Sequence, residues 1–334
     1  MGNDLTEAEA KVYDRQLRVW GVELQKRLMA ARILIAGCSC GVAAEVAKNI
    51  ALAGVGSLTL LDDALCKSEA AVCNFLIPAD ADQAQSVAEV SAATLREMNP
   101  LVKITALPGS LPPIPDIDFL RGFEVVLITS APFSTLLQYD AACRQLGVAF
   151  FMAASRGSTS FFFANLHSHE YTPLDTPAGE VPPKAVSAFP SLASALSQPW
   201  KTMRARYTHK LVYVLRVCAD FESHTGRFPT AADLPALQER ARELAADARA
   251  AALADPASAP PPRDLITEDV MPADILEEYV TGTVELPPIN AVLGGVLANE
   301  VLKAVSHKGE PVNNFFFFSL GDNVGLVETL GEVV

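Results

Sequence analysis

The chain has 334 residues, half of them apolar and under a fifth charged, with a formal net charge of −13. That is enough apolar residue for a large buried core, and no Lys/Arg cluster is present to track a phosphate backbone, which argues against a nucleic-acid partner. The six cysteines, at 38, 40, 66, 73, 143 and 218, form no C-x-x-C pair, so neither a zinc knuckle nor a disulfide framework is indicated and a reducing compartment fits.

Residues 1–7 are charged and polar, unlike a secretory leader, and Gly2 followed by Thr6 is a poor acylation signal next to a helix cap. No apolar run approaches the roughly 18 residues of a membrane span. Thr6-Glu7-Ala8-Glu9 is a capping box, and helical periodicity follows through Leu17, Trp20, Leu24 and Leu28, with a break at Gly21. The apolar run 32–37 ends at a glycine, as buried parallel strands do. A helix over 41–53 and a strand over 57–62 complete the opening βαβ unit of a dinucleotide-binding fold, with Asp62 at the second strand end. A helix at 83–98, strands at 102–106 and 124–129, a helix at 135–146 and a strand at 148–152 continue the alternation. This predicts an α/β fold with a doubly wound sheet.

Residues 171–190 carry five prolines and read as an exposed loop. Helices are expected at 208–223 and 231–253, then a proline-rich linker at 255–263. An apolar helix at 289–305 precedes a hairpin of 313–318 with 325–329 around Gly321-Asp322-Asn323. The phenylalanines 315–318 are expected to form a strand buried on both faces. The organisation is one α/β domain from 1–170 and 286–334, with 171–285 as a mostly helical insertion.

The Gly37-Cys38-Ser39-Cys40-Gly41 turn lacks Gly-x-Gly. Small residues at a strand-to-helix turn suit a phosphate cradle, but they suit a tight turn equally well. Cys38 and Cys40 have no third ligand nearby and fit space-filling better than metal binding. Cys143 and Cys218 lie inside apolar helical segments and read as core. His167 and His169 have no cysteine or acid at triad spacing and read as surface residues.

Several segments together resemble the ubiquitin-like-modifier activating enzymes of the ThiF/MoeB-like adenylation family. They are the Tyr-Asp-Arg-Gln-Leu-Arg-Val-Trp-Gly run at 13–21, Lys48 to Gly56, the Leu60-Leu61-Asp62 strand end, Met98-Asn99-Pro100, and the helix with Asn299-Glu300. The Asn-Asn-Phe-Phe-Phe-Phe run at 313–318 is most similar to the small, non-catalytic subunits of heterodimeric SUMO-activating enzymes. The resemblance implies a Rossmann-like adenylation domain and a partner, the catalytic subunit, that binds Mg-ATP and carries the thioester cysteine. SUMO would be met mainly through that partner, in the nucleus and also the cytoplasm.

The family's active halves carry Gly-x-Gly-x-x-Gly, Asp-x-Asp, Asn-x-Asn-Arg-Gln-Phe, a lysine, and a magnesium-binding aspartate after the fourth strand. This chain departs from nearly all of them. Ala64 replaces the second acid, and Cys73-Asn74-Phe75 stands where Arg-Gln-Phe belongs. No Lys or Arg occurs from Ser68 to Leu95, and no Asp or Glu from Val125 to Tyr139. A triphosphate needs cations and Mg²⁺, so no cofactor and no metal is expected in this chain's own half. The resemblance assigns Arg15 the role of an arginine supplied in trans to the partner's ATP; otherwise it is an exposed helix arginine or pairs with Asp14 or Glu23. A neddylation-type subunit is opposed by the short insertion. A self-sufficient sulfur-carrier adenylyltransferase is opposed by the lost ATP groups. An NAD-dependent oxidoreductase is opposed by the missing Gly-x-Gly.

Overall fold

The computed structural model describes residues 5–174, 183–257, 259–267, 269–321 and 324–333. Gly2, and most of the turn at Gly321-Asp322-Asn323, lie outside them. Three short helices open the chain: α1 (Glu7–Val12), α2 (Asp14–Trp20) and α3 (Val22–Ala30). Thr6 closes the expected capping box. Its N–H donates to the Glu9 carboxylate at 2.7 Å, and its hydroxyl accepts from the Glu9 N–H. The break at Gly21 is present, and Tyr13 makes a second one that the periodicity does not reveal.

The predicted first unit follows as β1 (Arg32–Ala36), α4 (Gly41–Ala53) and β2 (Ser57–Asp62). Next come α5 (Val87–Met98), β3 (Lys103–Pro108), α6 (Ile117–Leu120), β4 (Val125–Ile128), α7 (Phe133–Leu146), β5 (Ala149–Arg156), β6 (Thr159–Asn165), β7 (Ser168–Tyr171) and β8 (Ala185–Ala188). The chain then forms α8 (Leu192–Ser197), α9 (Lys210–Thr225), α10 (Leu234–Ala254), α11 (Ala273–Thr281), α12 (Pro287–Ser306), β9 (Phe315–Ser319) and β10 (Val324–Glu328).

Eight strands form one sheet in the order β10-β9-β6-β5-β4-β1-β2-β3. The five from β5 to β3 are parallel, and β6, β9 and β10 are antiparallel. Strand order reverses between β1 and β4. In such sheets the ligand crevice opens there, outside the carboxyl ends of the strands.

Helices α4, α5 and α12 pack on one face of the sheet. On the other face, Val214, Cys218, Leu237 and Leu276 share a cluster with Val126, Phe150, Phe161 and Phe317. The stretch 171–285 therefore supplies much of the second covering layer that an open sheet needs.

Several expectations are corrected. Strand β6 was not anticipated; its Phe161-Phe162-Phe163 run pairs with both β5 and β9 and is buried throughout. Helix α5 begins at Val87 rather than 83, because Ser86 bridges to Leu65. The expected loop 171–190 is framed by the antiparallel pair β7–β8, and residues 175–182 lie outside the described ones. In β9 only Phe315 and Phe317 are fully buried; Phe316 and Phe318 are half-buried on the face that is partly covered. Helix α12 is long and apolar enough to cross a membrane by length and composition, contrary to the expectation of no such run. Half of its apolar stretch is buried, with Leu293, Leu297 and Val301 at a four-residue spacing facing the core.

Candidate functional site

The turn from β1 into α4 lies at the crevice. Gly37 adopts φ 80° and directs its N–H to Leu61 O at 2.9 Å. Both carboxylate oxygens of the buried Asp62 are engaged locally. One accepts from the Ser39 N–H at 2.7 Å, the other from the Ala64 N–H at 2.8 Å. Asn74 pins the segment after β2 to the same turn, donating to Cys38 O at 3.0 Å and to Ser91 Oγ at 3.3 Å.

The N-terminus of α4 is where a helix in this fold receives a phosphate. Here it meets Glu285, from the segment entering α12. Glu285 Oε2 accepts from the Gly41 N–H at 2.7 Å and from Asn290 Nδ2 at 2.7 Å. The fit is tight: a Cβ built on Gly41 would stand 2.1 Å from Asn290 Nδ2 and 2.9 Å from Glu285 Oε2. Burial pushes the Glu285 carboxyl above its ordinary range, and the Gly41 and Asn290 hydrogen bonds oppose that rise. The adjoining cavity of about 490 Å³ runs from Gly37 and Asp62 to Ser130 and Thr135; among the described residues its walls include Asp62 and Asp63 and no Lys or Arg. These residues do not fit a triphosphate, which requires free N–H groups and cations at this point. Neither Glu285 nor Asn290 was singled out from the sequence. An acid ahead of Pro287-Pro288 carries no local signal for a contact 244 residues away.

All six cysteines are free, and burial is the largest cause raising the pKa of each. Cys40, Cys143 and Cys218 are pushed up to about 12. A nucleophilic thiol needs the opposite shift. Cys40 instead caps α4, its Sγ accepting from the Ala43 N–H at 3.4 Å. Cys143 and Cys218 are core residues, as expected. His169, expected at the surface, is buried and stacks on His307 with centroids 4.6 Å apart; burial lowers its pKa to about 4. His167 is half-buried, its Nε2 lying 2.7 Å from Val148 O.

The 13–21 run serves packing first. Tyr13 is fully buried against Gly54, whose φ of 81° and lack of a side chain let the ring approach; a Cβ there would stand 2.4 Å from Tyr13 Cζ. The Tyr13 hydroxyl accepts from Asn99 Nδ2 at 3.1 Å. The last three carbonyls of α4, which lack the usual partner four residues on inside the helix, each receive a side-chain amide. Asn99 donates to Ala51 O, Gln16 to Leu52 O and Gln25 to Ala53 O. This knot joins three of the segments that carry the resemblance: 13–21, 48–56 and 98–100. Arg15 projects from it, exposed. Asp14 pairs with Arg18 at 3.0 Å and Glu23 with Lys26 at 3.5 Å. Among the described residues Arg15 pairs with neither acid.

A family model for the ThiF family matches residues 13–328. The chain is 37% identical to SUMO-activating enzyme subunit 1A of Arabidopsis thaliana over 338 residues, covering 99% of this chain and 98% of that one. It is 33% identical to SUMO-activating enzyme subunit 1 of Xenopus laevis over 353 residues, covering 98% and 97%. Among solved structures, its fold is similar to E. coli MccB with MccA-N7isoAsn, at a TM-score of 0.58 and 13% identity, over 99% of this chain and 73% of that one. The chain belongs to the ThiF family, in the branch formed by the SUMO-activating enzyme subunit 1 proteins.

Proposed function

We propose that this chain is the regulatory, non-adenylating subunit of a nuclear SUMO-activating enzyme. It pairs with a homologous catalytic subunit that binds Mg-ATP, adenylates SUMO and carries the thioester cysteine. The observation that carries this reading is the Glu285 carboxylate on the Gly41 N–H, an internal anion seated where a nucleotide phosphate would go. The acidic cavity beside it, with no cation among the described residues that line it, and the six thiols, four of them buried and all with raised pKa, support the same reading.

Arg15 is the residue we assign to the partner's nucleotide. The knot that presents it sits at the Ala51–Gly54 end of α4, and the phosphate seat is at Gly41. The helix between them has 13 residues, roughly 18 Å at 1.5 Å per residue, which is beyond the reach of an arginine side chain. That separation supports a contact from Arg15 to a nucleotide held by another chain. Exposure and the lack of an ion pair among the described residues leave its guanidinium available.

ATP–pyrophosphate exchange with SUMO tests the reading. The chain alone should give background exchange, and adding the catalytic subunit should restore it. Robust exchange by the chain alone would overturn the proposal.

A further inference from the structure

A second cavity, of about 380 Å³, lies outside the carboxyl ends of β4 and β5, on the other side of the Ser130-Ala131-Pro132 segment from the cavity described above. Its floor is apolar: Phe133, Leu136, Met152 and Phe161. Its cation is Arg156, the last residue of β5. The half-buried Arg156 guanidinium lies 4.3 Å from the Phe228 ring centroid and 5.4 Å from that of Tyr279. Among the described residues its one side-chain hydrogen bond is a long one, 3.4 Å from Nη1 to Tyr279 O. Among the described residues no acid pairs with it. Acids on neighbouring elements are held elsewhere. Glu222 accepts from the Phe133 N–H at 2.6 Å, and Glu278 from the Ser158 N–H at 2.6 Å and the Ser158 hydroxyl at 2.8 Å. The other arginine on the wall, Arg227, is committed to Asp233 at 2.8 Å.

A guanidinium placed against aromatic rings is fixed in plane and presents its N–H edge, a geometry matched to a two-oxygen anion. A concave apolar pocket with one such polar group at the strand ends is the usual form of a small-molecule site. One positive charge, with no acid paired to it among the described residues but with Glu222 on the same wall and Glu285 acting on it electrostatically, suits a monoanion and disfavours a polyphosphate. We propose that this cavity binds a small organic carboxylate, its apolar body on the Phe133–Phe161 floor and its carboxylate forked on Arg156. The site neighbours the closed seat at Gly41, since the segment carrying Glu285 bridges to Gly157 next to Arg156, and it does not depend on the subunit role proposed above.

The probe is phenylacetate, compared with its neutral isostere phenylacetamide, on the full chain labelled at methionine methyls. Met152 is buried on the cavity floor and reports by NMR. Phenylacetate should shift the Met152 resonance saturably, in the millimolar range typical of so small a ligand. Phenylacetamide should bind at least about tenfold more weakly, and Arg156→Gln should lower phenylacetate to the amide's level. Comparing acid with amide on the unaltered chain decides the matter even if the variant misfolds. No saturable shift, equal binding of acid and amide, or full affinity in a folded Arg156→Gln would each overturn the proposal.

Discussion

The carboxylate of Glu285 stands 2.7 Å from the backbone nitrogen of Gly41. It puts a fixed negative charge on the pole of α4 where the aligned peptide dipoles collect positive charge. The contact ties the segment entering α12 to the start of the first βαβ unit, two parts of the chain separated by 244 residues.

Removing that anchor should destabilise the fold. Glu285→Ala leaves the Gly41 N–H and Asn290 Nδ2 without their acceptor and should cost about 1.5–3 kcal/mol, the range for hydrogen bonds to a charged group. Glu285→Gln keeps an acceptor oxygen and sheds a buried charge, so it should cost less than about 1 kcal/mol. Urea denaturation at neutral pH measures both. Equal losses for Ala and Gln would mean that the hydrogen bond to α4 contributes nothing.

Arg15→Ala should leave the heterodimer intact on gel filtration and slow SUMO adenylation by about 30- to 1,000-fold, the usual loss for one contact to developing charge. Arg15→Lys should recover part of the rate, since a point charge lacks the planar fork. If Arg15→Ala breaks the dimer instead, the residue supports the interface. If neither rate nor assembly changes, it has no role at the partner's nucleotide.

The Tyr13 knot should matter to stability rather than chemistry. Asn99→Ala orphans the buried Tyr13 hydroxyl and removes one of two donors from the Ala51 carbonyl, which keeps the Gly54 N–H at 3.0 Å, and should cost about 1–3 kcal/mol. Gly54→Ala should be worse, because a left-handed backbone and an overlap with the Tyr13 ring coincide there. Thermal melts that rank Gly54→Ala below Asn99→Ala, and both below the parent chain, are the expected result.

Stability should fall as pH rises through neutrality, and Glu328 should be one cause. Burial lifts its pKa from 4.5 to about 7, although it accepts from the His209 N–H at 3.2 Å and from Thr208. A raised carboxyl pKa means that the folded chain binds the proton more tightly than the unfolded one. The stabilisation is thus complete below pH 4.5 and lost as pH climbs past about 7. The effect should be on the order of 3 kcal/mol at most. Urea midpoints from pH 4.5 to 8 should decline in the parent chain, and Glu328→Gln should flatten the decline.

The parallel half of the sheet was legible because its elements carry local signals: apolar runs ending in glycine or Asp62, and helical periodicity between them. Strand β6 was not, because its all-apolar run looks like any buried segment and only pairing on both sides makes it a strand. His169 was misplaced for a related reason. Two histidines in a polar stretch give no sign that His307, from the end of α12, will stack on one of them.

Sequence by itself determined the α/β class, the family, and which residue types stand at the β1–α4 turn and after β2, since each depends on which residue types occur at short spacings. Tertiary structure alone decided what those elements contact. The side chain of Glu285 fills the α4 pole, and Tyr13 and Asn99 finish its other end. It also left Arg156 beside an open cavity with aromatic rings against it and no acid paired to it among the described residues. Each of these joins residues far apart in the chain. Hydrogen-bond geometry and burial exist only once the elements have packed, and no local pattern encodes them.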